Sequence, residues 1–303
     1  MELVIRDLSK TYPNGTRALV NVSLDVPQGM FGLLGPNGAG KSTLMRIIAT
    51  LQEADGGSAR LGDIDVLRDK EAVRRTLGYL PQSFGFYARA RADRLLEHFA
   101  VLKGIVEPGV RRDVVESLLR QTNLWEVRSE RLGTYSGGMR QRFGVAVALL
   151  GNPKLIVVDE PTAGLDPAER ERFLNLLSDI GQESVVLLST HIVEDVEELC
   201  SRVAIIDRGE ILLEAEPPRA IGELRGRIWR RTVNREELPV VERAYPVIST
   251  KLLAGRTIVH VHAETSPGAE FEPVEPDLKD VYFCVMGGRH GLRAAADAVE
   301  VAS

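Results

Sequence analysis

Gly35-Pro36-Asn37-Gly38-Ala39-Gly40-Lys41-Ser42 is the stretch of this chain best equipped for chemistry. It fits the spacing G-x-x-x-x-G-K-[ST], in which a backbone turn closes on an anion and a lysine and a hydroxyl follow at once. Glycines lack a Cβ, so they allow left-handed backbone angles and bring amide N–H groups against phosphate oxygens. A helix starting beyond the turn adds unpaired N–H donors and a partial positive charge. Lys41 can then neutralise the β- and γ-phosphates of a nucleoside triphosphate, and the Ser42 hydroxyl can ligate magnesium. Farther on, Asp159-Glu160 ends an apolar run, which suits a magnesium-facing carboxylate beside a second acid. Tyr135-Ser136-Gly137-Gly138-Met139 is another glycine-rich helix start, with Ser136 a good N-cap. It reads either as an ordinary capped helix or as a second anion-facing site. Since Lys41 and its loop already supply one site, the second would serve a partner molecule's nucleotide.

The elements that must position these groups are legible from periodicity. Phe31–Leu34 reads as a buried strand before the turn, and Leu44, Ile47, Ile48 and Leu51 fall on one face of a helix after it. Leu3–Arg6 and Ala18–Val26 read as strands around a Pro13-Asn14-Gly15 turn, with another strand pair over Ala59–Val66. Tyr12, just before that turn, reads either as a ring that stacks on adenine or as a cover for the sheet. Leu77–Leu80, Leu155–Val158, Val185–Ser189 and Val203–Ile206 read as strands, with helices over Pro167–Ile180 and Val193–Cys200. Residues 91–132 are helical by spacing, an insertion between strands, and a long helix follows Ser136. Strands alternating with helices imply a mainly parallel sheet covered on both faces. Ligands gather at the carboxyl ends of such strands, which would bring Gly35, Gln82, Asp159 and His191 to one edge. His191 alone reads equally well as a helix-capping histidine; its catalytic reading depends on the others.

Composition narrows the possibilities. The chain of 303 residues is 44% hydrophobic and 27% charged, an ordinary globular mixture with enough apolar residues for a main body and a smaller addition. A net charge of −5 offers no bulk attraction to nucleic acid or anionic lipid. Cys200 and Cys284 fit no metal spacing and read as free thiols in a reducing, cytoplasmic setting. The opening residues carry no signal-peptide pattern, and no apolar run is long enough to span a bilayer. The expectation is a chain that does not cross a membrane itself but can dock on a partner that does. Pro217-Pro218 marks a composition break. Beyond it, strands over Arg227–Val233 and Thr257–His262, a linker over Ala263–Pro276 and a short helix over Asp277–Met286 suggest an α+β module at 217–288. Residues 289–303 read as a frayed tail.

Taken together, the motifs resemble those of ATP-binding cassette, or ABC, ATPases. They stand in that family's order: Gly35–Thr43 (Walker A), Gln82 (Q-loop), Tyr135–Met139 (signature), Leu155–Glu160 (Walker B), Ala163–Asp166 (D-loop) and His191 (switch histidine). The signature departs from the commonest form in having Tyr135 for leucine and Met139 for glutamine. Its Tyr-Ser-Gly-Gly-Met form and the Leu278-Lys279-Asp280-Val281-Tyr282-Phe283 stretch resemble ATPase subunits of bacterial multidrug and sodium exporters. The resemblance implies an α/β P-loop fold at 1–216, with a mainly parallel sheet, an N-terminal antiparallel β subdomain and a helical subdomain at about 83–150. It implies ATP and Mg2+ as ligands. Tyr12 would stack on adenine, Thr43 would support the α-phosphate, and the loop Gly35, Pro36, Asn37, Gly38, Ala39, Gly40, Lys41 would hold the rest. Ser42, Gln82 and Asp159 would organise the metal, Glu160 would polarise water, and His191 would hold the γ-phosphate. Ser136, Gly137 and Gly138 would close the site of a second cassette, in a homodimer or heterodimer, with Asp166 linking the two. Separate transmembrane permease subunits would hold the ATPase at the cytoplasmic face of the membrane, with no nucleic acid involved. The alternative is a soluble cassette ATPase acting on a macromolecular partner. The aromatic stretch Phe84–Arg91, just after Gln82, and the helical insertion behind it are the expected docking surface.

Overall fold

The computed structural model describes residues 1–82, 85, 87–162 and 165–288. Its first layer is an antiparallel sheet of β1 (Leu3–Thr11), β2 (Arg17–Val26), β4 (Gly56–Leu61) and the short β5 (Ile64–Asp65), in the order β2-β1-β4-β5. The central sheet carries β3 (Gly29–Leu34), β6 (Leu77–Leu80), β7 (Leu155–Asp159), β8 (Val185–Thr190), β9 (Arg202–Asp207) and β10 (Glu210–Ala215). Its order is β10-β9-β3-β8-β7-β6, parallel throughout except at β10. Every residue of β7 and β8 is buried, as expected of parallel strands covered on both faces.

Helix α1 (Lys41–Ile48) packs Leu44, Met45, Ile47 and Ile48 between the two sheets. Leu51 departs from expectation: the helix ends at Ile48, Thr50 takes a left-handed φ of 62°, and Leu51 is 61% exposed. The turn at Thr50 breaks the helical period, so the apolar stripe stops one residue type short. After α2 (Lys70–Thr76), α3 (Ala92–Leu102), α4 (Pro108–Gln121) and α5 (Gly137–Ala148) form a helical layer with its own core, including Leu96, Leu119, Leu132 and Phe143. Helices α6 (Pro167–Gly181) and α7 (Val193–Leu199) cover the other face of the central sheet.

Strand β10 is absent from the sequence reading. It turns back on β9 through Arg208-Gly209, both at positive φ, which is the tight hairpin that suits strand twist. Beyond Pro217 come α8 (Pro217–Glu223), β11 (Ile228–Val233), α9 (Leu238–Ala244), β12 (Val247–Leu253), β13 (Arg256–His262), β14 (Glu272–Pro273) and α10 (Leu278–Met286). The strands form an antiparallel sheet in the order β12-β13-β11-β14, so β12 and the short β14, the latter inside the expected linker, add to the two strands expected. Asp277 and Asp280 cap α10 reciprocally, which fixes where that helix starts. Val233, Val241, Val259, Val261 and Phe271 make a small separate core. Ile228, Leu278, Val281, Cys284 and Val285 instead join the cluster under β3, β8 and α7, so apolar packing runs unbroken across Pro217. The expected tail at 289–303 lies outside the described residues.

Candidate functional site

The strand register assembles the site. Leu34 pairs with Thr190, Ser189 with Asp159, and Val158 with Leu80, so the turns after β3, β8, β7 and β6 leave one edge side by side. The loop after β3 needs its glycines: a β-carbon at Gly35 would lie 2.2 Å from Ile206 O, and Gly40, at φ 107°, faces Ala18 O at 2.4 Å. Lys41 opens α1 and is 4% exposed. Its Nζ donates to Gly35 O at 2.7 Å and Pro36 O at 3.1 Å, and lies 3.3 Å from Glu160 Oε1.

Glu160 is the point on which the loops converge. Its Oε2 accepts from Gln82 Nε2 at 3.3 Å and lies 3.3 Å from His191 Nδ1. Its φ is 47°, a left-handed conformation that costs a residue with a β-carbon about 1–2 kcal/mol. A backbone bond from Glu160 N to Ser189 O, 3.0 Å long, holds it there. A buried ion pair such as Lys41–Glu160 brings little net stability against its desolvation cost. Its value lies in fixing where two opposite charges stand.

Asp159, 2% exposed, accepts at Oδ1 from Ser42 Oγ at 3.3 Å and from Ser189 Oγ. Hydroxyl and carboxylate oxygens are the donors a hard divalent cation takes. Among the described residues no group of three His, Cys, Asp or Glu side chains can hold a metal alone. The Ser42 hydroxyl beside the Asp159 carboxylate fits a divalent cation such as Mg2+ that takes its remaining ligands from phosphate oxygens. Tyr12 OH meets Thr43 Oγ1 at 3.1 Å and Gln52, and the Thr43 bond above all draws its phenol below its ordinary pKa. Tyr12, Asn37, Gly38, Lys41, Ser42, Gln82 and Glu160 line one cavity of about 480 Å³, large enough for a nucleotide. Arg17 lines it too, a cation that the sequence reading passed over; its place five residues after Tyr12 was the available signal.

Ser136, Gly137 and Gly138 are not in that cavity. Ser136 Oγ caps α5 by accepting from Met139 N at 3.1 Å, while Ser136 and Gly137 are exposed. Tyr135 instead turns into the helical core, with its OH donating to Val127 O. Gln141, one turn into α5, donates to Pro161 O and so ties the signature helix to the loop after Glu160. Asp166 caps α6 by accepting from Glu169 N at 2.8 Å. Ala163 and Gly164 of that loop, and Ser83, Phe84 and Phe86 of the aromatic stretch, lie outside the described residues. Tyr87 is 74% exposed.

The ABC transporter family model matches residues 19–163. The daunorubicin/doxorubicin resistance ATP-binding protein of Streptomyces peucetius is 35% identical over 294 residues, covering 96% of this chain and 82% of that protein. The chain belongs to the ABC transporter family. The probable multidrug ABC transporter ATP-binding protein YbhF of Escherichia coli is 29% identical over 302 residues. That match takes in 94% of this chain and 52% of the relative, so the chain spans about half the length of that protein. Among solved structures, the dimeric bacterial ABC transporter cassette MJ0796 aligns with a TM-score of 0.65 and 28% identity, over 71% of this chain and 98% of that one. The same cassette in a post-hydrolysis dimer bound to ADP and Pi aligns with the same TM-score at 27% identity. Cassettes of this family thus bind adenine nucleotide and form dimers. Among the described residues of this ABC chain, no helix is long and apolar enough to cross a membrane.

Proposed function

We propose that this chain is the ATP-hydrolysing subunit of an ABC exporter, working as a cassette dimer on separate transmembrane permease subunits at the cytoplasmic face of the membrane. The observation that carries this reading is Glu160, which lines the cavity and is held by Lys41, Gln82 and His191. In this reading Lys41 exchanges the loop carbonyls for β- and γ-phosphate oxygens, which frees Glu160 to polarise the attacking water. His191 holds the γ-phosphate, Tyr12 stacks on adenine, and Thr43 supports the α-phosphate. Ser42, Asp159 and Gln82 would hold Mg2+, directly or through water, and the ion when bound neutralises phosphate charge. Ser136, Gly137 and Gly138, which do not line the cavity around Lys41, close the partner cassette's site, and Asp166 links the two. Positioning and charge stabilisation carry such phosphoryl chemistry.

Export is supported by the drug-resistance and multidrug names of the relatives. A mostly apolar cleft of about 380 Å³, lined by Leu51, Tyr79, Phe99 and Leu102 among others, opens between α1 and the helical layer. Phe99 and Leu102 of this cleft lie in the helical insertion behind the stretch that carries exposed Tyr87, the expected docking surface, so we place the permease contact there. We divide the chain into a cassette at 1–216, with its helical subdomain at about 83–150, and an accessory module at 217–288. Two measurements test the reading. The purified chain should release phosphate from ATP only with Mg2+ present, and Glu160→Gln should abolish that release. Recovery of the tagged chain from solubilised membranes should bring a multi-spanning protein with it, and less of it after Tyr87→Ser with Leu102→Ser. Release that survives Glu160→Gln would overturn the catalytic half, and recovery alone would overturn the transport half.

A further inference from the structure

Asp195 lies in the first turn of α7, in the acidic run Glu194-Asp195-Val196-Glu197-Glu198, yet it is 1% exposed. Its carboxylate faces inward and collects donors from three other segments. Oδ2 accepts from Thr162 Oγ1 at 2.6 Å and from Thr190 Oγ1 at 3.5 Å. Oδ1 accepts from Arg170 Nε at 2.7 Å, with Arg170 Nη2 at ion-pair distance from the same oxygen. Each donor has a telling neighbour. Thr162 is two residues after Glu160, and Thr190 immediately precedes His191. Arg170 stands on α6, whose cap is Asp166. Thr190 Oγ1 also accepts from Ile192 N at 3.0 Å, so the same hydroxyl shapes the backbone on the far side of His191.

We propose that Asp195 is a positioning residue for hydrolysis: one buried carboxylate sets the spacing between the segments that carry Glu160, His191 and Asp166. This rests on the reading of Glu160 as the group that polarises water. Asp195 itself does not line the nucleotide cavity, so it acts through the loops it joins. The phosphate loop with Lys41 is held by other contacts: Lys41 Nζ donates to Gly35 O and Pro36 O, and Gly209 N donates to Ala39 O. Loss of the carboxylate should therefore disturb the reacting end of the site and leave nucleotide affinity in place. A displacement of about 1 Å at reacting groups is enough for a loss of roughly 10²-fold.

The test is a comparison of Asp195→Asn, Asp195→Glu and Thr162→Val with the unsubstituted 303-residue chain. Phosphate release gives kcat and KM, and equilibrium binding of ATP is measured separately. Asp195→Asn keeps the shape but sets an amide against Arg170. It should lower kcat by about 10- to 100-fold, with ATP affinity within about threefold of wild type. Asp195→Glu should recover part of that loss, and Thr162→Val should show a smaller loss of the same kind. If Asp195→Asn does not fold, as thermal unfolding would reveal, Thr162→Val carries the same kcat-against-affinity comparison. A folded Asp195→Asn with kcat within twofold of wild type, or a parallel fall in kcat and ATP affinity, overturns the proposal. A wild type without ATPase activity, or Glu160→Gln with full activity, would instead overturn the reading on which the proposal rests.

Discussion

Gly138 and Glu169 are packed so closely that a β-carbon at 138 would lie 1.7 Å from Glu169 Oε2. That carboxylate could clear the space only by leaving Arg142, one turn farther along α5, which pairs with it. The signature helix and the helix capped by Asp166 are thereby held at one separation by a missing side chain.

Replacing Gly138 with alanine should push Glu169 off Arg142 and cost about 1.5–3 kcal/mol of stability, the range for a hydrogen bond to a charged group. ATP binding should persist, since Lys41 and its loop are untouched, while hydrolysis should fall at least tenfold. Thermal unfolding and phosphate release, measured on the same preparation, check the two halves. Full activity in Gly138→Ala would show that this face takes no part in the composite site.

Glu160→Gln removes the carboxylate that faces Lys41 and leaves the phosphate loop intact. The variant should bind ATP, release less than about 1% of the wild-type phosphate, and elute as an ATP-dependent dimer in size exclusion. Lys41→Ala should remain monomeric. Mixing Lys41→Ala with Ser136→Arg chains should restore some activity, because one composite site of the mixed dimer escapes both lesions. Wild-type activity per chain that is independent of concentration, with no dimer formed, would defeat the two-chain site.

Tyr12 separates ring from hydroxyl. Its OH is engaged with Thr43 and Gln52, so only the ring is free to meet a base. Tyr12→Phe should bind ATP within about twofold of wild type. Tyr12→Ala should bind about tenfold more weakly, the equivalent of about 1.4 kcal/mol for a ring contact. Equal affinities for all three proteins, by titration with a fluorescent ATP analogue, would assign the ring to covering the sheet.

Deleting 217–303 should leave ATP binding measurable, since the described part of that segment lines no part of the nucleotide cavity. The same deletion should lower the unfolding temperature markedly. Leu278, Val281 and Cys284 are fully buried against the cassette, and each large apolar side chain lost from such a core costs about 2–5 kcal/mol. A truncated chain with unchanged unfolding temperature would show that α10 adds nothing to the cassette core.

What the sequence revealed followed burial. β3, β7 and β8 are apolar on both faces, so they stand out as unbroken runs, and the loop at Gly35–Ser42 is written in residue types that only one geometry needs. The strands and helices missed, β10, β12, β14, α2, α8 and α9, are short or partly exposed and carry weak periodicity. Asp195 was hidden by its neighbours: a buried acid inside an acidic run reads as solvated until Thr162 and Arg170 are brought to it from other elements. Gly138 was legible as a helix start, but its need for glycine depends on Glu169, a residue on a different helix.

Helix α10 bears on how this protein is made. Lys279 pairs with Glu194, and Leu278 and Val281 fill the core beneath α7, contacts that span most of the C-terminal third of the chain. During synthesis α7, which follows His191, leaves the ribosome well before its packing partner α10 does. Until residue 286 has emerged, the nascent cassette presents an open apolar face beneath α7, and folding of domains as units keeps that core unfinished. Translation of α10 thus sets the moment at which a newly made chain completes the apolar core beneath α7.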